Sequence, residues 1–83
     1  MNRQTFGVIV STRAFFPSHL VADARQKTRA ALEQLGIGCV MVEESSTQFG
    51  AVRTFQEALT CAQLFRQHAA EIDGILVVLP NLG

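Results

Sequence analysis

Apolar residues in this chain fall into three compact runs separated by two stretches with helical spacing. Phe6, Gly7, Val8, Ile9, Val10 and Ser11 form a β-branched run that ends in a polar side chain and predicts a first strand. Leu20, Ala24, Ala31 and Leu35 then recur near the 3.6-residue period, with Arg25, Lys27, Arg29 and Glu33 assigned largely to other faces. Pro17 or Ser18 opens this helix, because proline is tolerated in a first turn and serine can accept a bond from an orphan amide. Gly36 closes it as a residue able to take the left-handed conformation. Residues 38–43 make a second strand, and residues 44–53 a polar loop with one aromatic, Phe49. Thr54 and Glu57 fit a capping box, the hydroxyl serving the Glu57 amide and the carboxylate reaching back to the Thr54 amide. Phe55, Ala58, Leu59, Ala62 and Phe65 form the apolar stripe of the second helix. After a turn at residues 71–74, residues 75–79 give a third, wholly apolar strand.

Strands alternating with helices at this spacing imply an α/β fold with a parallel sheet and right-handed crossovers. Placing the first strand between the other two gives the order 2-1-3 and puts the helices on opposite faces. That is a three-layer βαβαβ unit, the opening half of a flavodoxin-like doubly wound sheet. The uninterrupted run at residues 75–79 suits a strand covered on both faces, which needs neighbours on both edges. Residues 1–83 are therefore expected to form a single partial domain, the beginning of a larger protein. The polar ends of all three strands line one rim: Ser11-Thr12-Arg13, Glu43-Glu44-Ser45-Ser46 and Pro80-Asn81-Leu82-Gly83. Ligands of open α/β sheets collect at this carboxyl rim, near the reversal of strand order.

Composition agrees with a core larger than the chain can complete, since 48% of residues are hydrophobic and only 17% are charged. Seven basic and seven acidic side chains cancel, so charge gives no reason to propose a nucleic acid or an anionic membrane as partner. Cys39 and Cys61 have no CxxC spacing and are expected to be free thiols in a reducing compartment. No apolar h-region follows Met1, and no apolar stretch approaches the roughly 18–20 residues of a bilayer span. A soluble, cytoplasmic chain is the expectation.

Neither GxGxxG nor GxxxxGK[ST] follows a strand, and Gly36 and Gly38 close a helix rather than cradle a phosphate. Arg13 follows the first strand at the switch point, where its planar fork can hold a carboxylate, a phosphate or sugar hydroxyls. Asn81 offers donor and acceptor at the neighbouring strand end, as hydroxyl recognition requires. These two are the candidate substrate contacts. His19 reads as an exposed helix residue, and His68 as a partner of the second helix's C-terminal dipole. Glu43 and Glu44 point to opposite faces if the strand persists, and Asp73 reads as a turn residue on the far rim. No catalytic constellation and no metal site can be assembled from the sequence.

Phe6-Gly7-Val8-Ile9-Val10-Ser11-Thr12-Arg13, Gly50-Ala51-Val52-Arg53-Thr54 and Asp73-Gly74-Ile75-Leu76-Val77-Val78-Leu79-Pro80-Asn81-Leu82-Gly83 together resemble the amino-terminal segment of the L-fucose/L-arabinose isomerase family. The likeness covers nearly the whole chain, although family members tend to carry an aromatic where Leu82 stands. It implies a parent enzyme that interconverts an aldose and a ketose with a divalent metal, often manganese. The metal ligands and catalytic carboxylates of such enzymes lie later in the chain, so none is assigned here. The resemblance further implies that this segment binds substrate through Arg13 and Asn81 and builds the oligomer, with Phe49 a pocket or interface residue or one folded back on the core. An inactive isomerase segment is the leading expectation. A non-catalytic lobe for sugars or other polar ligands, and a self-associating structural half-fold, are the alternatives. Unpaired amides on the third strand predict a homodimer through the sheet edge.

Overall fold

In a computed structural model that describes residues 3–12 and 16–80, the chain runs β1 (Thr5–Val10), α1 (Ser18–Gln34), β2 (Gly38–Val40), a short 3-10 turn (Gln48–Gly50), α2 (Phe55–Gln67) and β3 (Gly74–Val78). The three strands are parallel and ordered β2-β1-β3, as their alternation with helices predicts. In register, Phe6 stands between Cys39 and Gly74, and Val10 lies opposite Val78.

Alternation of side chains across β1 separates two unlike faces. Val8 and Val10 turn toward α1 and are sealed in a cluster with Phe16, Val21, Leu32, Met41 and Ala51, to which Leu76 and Val78 of β3 add. Gly7 turns the other way, toward α2. A Cβ there would stand 3.0 Å from both the Phe65 ring and Ile75 Cδ1, so the absent side chain lets α2 approach. The helices thus lie on opposite faces of the sheet, α1 sealing one and α2 meeting the other at Gly7.

α1 ends as its sequence predicts. Gly36 has φ +72°, its amide donates to Glu33 at 3.0 Å, and the Ile37 amide donates to Leu32 at 2.8 Å. These are the paired bonds of a Schellman cap. Pro17 occupies the N-cap without a side-chain hydrogen bond, so the proline geometry, not a serine cap, opens the helix. The buried stripe is rotated from the expected one: Val21, Arg25 and Leu32 face inward, whereas Ala31 is exposed and Leu35 is 72% exposed. Arg25, expected on a solvent face, is buried because it has an acceptor beneath it in the Gln48–Gly50 turn.

α2 departs further. Cys61 is its one buried residue, flanked by half-buried Glu57, Leu64, Phe65 and His68, while Phe55 is 78% exposed and Leu59 43% exposed. Most of the apolar stripe therefore faces out. The cap at Thr54 and Glu57 and the contact of Phe65 over Gly7 set the rotation of this helix. β2 is shorter than expected, ending at Val40, and Met41 and Val42 are buried outside the ladder. Val52 takes the vacated place beside β1, bridging Ser11 and donating its amide to Val10 at 2.8 Å.

β3 is covered on the α1 side only. Ile75, Val77 and Leu79 are 53%, 51% and 70% exposed. Its start is locked to β1 by a reciprocal pair, the Thr5 amide donating to the Asp73 carboxylate at 2.8 Å and the Asp73 amide to the Thr5 carbonyl at 2.7 Å. Asp73 is thus a sheet clamp, more than the turn residue its position suggests.

Candidate ligand-binding rim

The carboxyl ends of β1 and β3 lie side by side, because the strands are parallel and in register through Val10 and Val78. The Ser11 amide extends this pairing, donating to the Val78 carbonyl at 3.0 Å. The expected substrate contacts, Arg13 and Asn81, lie outside the described residues; the strand ends from which they continue are adjacent. At this junction Thr12 Oγ1 is buried and has no hydrogen-bond partner among the described residues.

A tightly held loop flanks the junction. Phe49 and Gly50 take left-handed backbone conformations, φ 60° and 75°, an uncommon state for a bulky aromatic. Phe49 is 46% exposed, so it has not folded back into the core. The Glu57 carboxylate accepts the amides of Gln48 at 2.8 Å and Arg53 at 2.9 Å, while the Thr54 hydroxyl accepts the Glu57 amide at 3.1 Å. The hydroxyl half of the predicted capping box is present, and the carboxylate, which also feels the Thr54 amide, makes its well-formed bonds to the loop at Gln48 and Arg53. Arg53 Nε lies 3.6 Å from the same carboxylate, and its Nη2 donates to the Gln48 side-chain oxygen. Burial opposes the Glu57 charge, yet the amides of Gln48 and Arg53 and the Arg53 guanidinium outweigh it and hold the carboxyl below its ordinary range. From the helix side, Arg25 Nη1 donates to the Gly50 carbonyl at 3.0 Å. Arg53, one residue beyond the Val52–Ser11 bridge, is thereby fixed at the rim.

Arg25, which holds this loop, also lines a cavity of about 560 Å³ between α1 and the chain leaving β2, together with Gln26, Arg29, Glu43, Glu44 and Ser45 among others. Since the strand stops at Val40, Glu43 and Glu44 do not fall on opposite faces of a sheet; both line this one cavity. Arg25 is 6% exposed. Burial lowers its pKa, the nearby Glu44 opposes that effect, and an arginine stays charged regardless.

Nucleophile and metal chemistry find little footing elsewhere. Cys39 and Cys61 are free, as expected, and burial pushes both thiols up, away from the thiolate. His19 is exposed, and His68 caps α2 with Nδ1 3.6 Å from Glu71. Among the described residues no group of three or more His, Cys, Asp or Glu side chains could hold a metal ion, so they do not fit the divalent metal implied by the resemblance. No helix among them is long and apolar enough to cross a membrane.

The strand pattern predicts that the β1 and β3 carboxyl ends are adjacent, but nothing in it singles out Arg25, Gln48 or Arg53. The capping-box spacing was a usable signal for the Glu57 anchor. Nothing local marks Arg25, whose partner Gly50 is 25 residues away.

Residues 7–83 match the family model described as fucose/sulfoquinovose isomerase, N-terminal domain. No curated protein and no solved structure matches the chain.

Proposed function

Since this chain belongs to the fucose/sulfoquinovose isomerase family, as its N-terminal domain, we propose that it forms a substrate-binding wall of an aldose–ketose isomerase and is inactive alone. The observation that carries this reading is the adjacency of the β1 and β3 carboxyl ends, from which Arg13 and Asn81 continue. In this proposal the Arg13 guanidinium donates to sugar hydroxyls, and the Asn81 amide both donates and accepts. Thr12 Oγ1, without a hydrogen-bond partner among the described residues, is a further group able to bond a hydroxyl. The fixed loop with Arg53 borders the site, restricting how a sugar ring can lie.

Isomerisation moves a proton between neighbouring carbons, and a divalent metal such as manganese would supply polarisation of the substrate oxygens. Its ligands, and the acid–base carboxylates, belong to other parts of the parent enzyme in this reading. Copies of the chain associate through the open edge of β3, and the reduced thiols fit a cytoplasmic setting.

The test is a titration of the chain with 6-deoxyhexoses and pentoses, followed by amide resonances. Shifts at Ser11, Thr12 and Arg53 that Arg13→Ala weakens by about tenfold or more are expected, the scale of a lost charge-assisted hydrogen bond. The absence of any saturable shift at those positions would remove the binding wall. Aldose–ketose turnover by this chain with manganese would refute the claim that it is inactive alone.

A further inference from the structure

The cavity between α1 and the chain leaving β2 has an unusual electrical layout. One wall, on the helix, carries Arg25 and Arg29; the other carries Glu43 and Glu44 with the Ser45 hydroxyl. Opposite charges this near one another ordinarily pair. The ion pairs among the described residues are Lys27–Asp23, Arg53–Glu57 and His68–Glu71, and none includes a member of this cavity. Arg25 is more than nine-tenths buried. Among the described residues its side chain makes one hydrogen bond, from Nη1 to Gly50, leaving the other guanidinium donors available to the cavity.

We infer that this cavity binds a small zwitterionic amino acid, its carboxylate held by Arg25 and Arg29 and its ammonium by Glu43, Glu44 and Ser45. The charge balance selects this chemistry. Two cations and two anions sum to zero, so a phosphate or dicarboxylate attracted to the arginines also meets two carboxylates. A simple cation meets the converse obstacle. A ligand with both charges at its two ends satisfies both walls and leaves the total unchanged. A neutral polyol could bond to either wall, but it carries no charge to complement the arginines on one side or the carboxylates on the other. Gln26 adds an amide able to donate to the carboxylate or accept from the ammonium. None of the lining residues belongs to the β1–β3 junction, and the inference is independent of the isomerase reading.

Amide resonances of the 83-residue chain, followed during titration with glycine, β-alanine and γ-aminobutyrate, test it, because these probes separate the two charges by increasing lengths. Acetate, methylammonium, inorganic phosphate and xylitol are the controls. At least one zwitterion is expected to give saturable shifts at residues 22–29 and 43–45, weakened by added salt. Arg29→Gln and Glu44→Gln should each weaken that response about tenfold, as loss of one charge-assisted contact does. Both positions are exposed, whereas Arg25→Gln would also free Gly50 and confound binding with folding. The proposal is overturned if no zwitterion saturates these resonances, if a control saturates them as tightly, or if both variants bind like the parent. Shifts caused by sugars at Ser11 and Thr12 report on the rim alone, so the two readings fail separately.

Discussion

Gly50 shows how a single missing side chain organises the loop. A Cβ at this position would come within 2.5 Å of Arg25 Nη1 and 2.6 Å of its Cζ, and the backbone stands at φ +75°. Gly50→Ala should therefore cost about 1–3 kcal/mol in a denaturant titration, from left-handed strain and displacement of a buried guanidinium. Phe49, left-handed and without glycine's freedom, should behave oppositely: Phe49→Asn is expected to raise stability by up to about 1 kcal/mol. Glu57 gives the loop its pH dependence. Its carboxyl is held below the ordinary value, so its contribution is complete above roughly pH 4.3 and is lost as pH falls through the lower folded-state value. Glu57→Gln should flatten that part of a melting-temperature profile against pH and cost about 1–2 kcal/mol at neutral pH. The Thr54–Glu57 cap was legible because its parts are three residues apart. Arg25 was not, because an arginine between apolar helical positions reads as solvated until its distant acceptor is known.

Among the elements, period was easier to read than orientation. Both helices and all three strands lie where the apolar spacing puts them, within one to three residues at most ends. The spacing of Phe55, Leu59 and Ala62 correctly marks an apolar stripe, but a stripe does not say whether this chain covers it. Rotation of α2 is decided by the Glu57 anchor and the Phe65 contact over Gly7. It follows that Leu59→Gln should change stability by no more than about 0.5 kcal/mol, whereas Leu32→Ala, which empties the sealed side, should cost about 2–4 kcal/mol. The two can be compared in parallel chemical denaturations. If β3 mediates the proposed self-association, Val77→Lys should yield a monomer in sedimentation velocity with an unchanged circular dichroism spectrum. A charged side chain on an edge opposes pairing without disturbing the existing ladder.

At the scale of the molecule, topology was the most legible property, since two helical crossovers between parallel strands leave few right-handed arrangements. The rim followed from the reversal of strand order. The charged cavity did not follow, because its formation depends on β2 ending at Val40 and on Arg25 turning inward. The finished unit is lopsided. One face of the sheet is sealed by α1, and the other leaves Phe55, Leu59, Ile75, Val77 and Leu79 largely in water. With one well-filled side, the isolated chain should unfold at low denaturant, and association that covers the open side should make its melting temperature rise with protein concentration.

The Ser11–Val78 hydrogen bond also sets a rhythm along the last strand. The N–H and C=O of one residue in a parallel strand point to the same neighbour, and successive residues alternate. Because Val78 gives its carbonyl to Ser11, Gly74, Leu76 and Val78 turn their backbone groups to β1, and Ile75, Val77 and Leu79 turn theirs outward. Deuterium uptake should therefore beat with a period of two: slow at Leu76 and Val78, fast at Ile75 and Val77. An added strand, whichever chain supplies it, would silence that beat, so two amides can report whether the sheet has been extended.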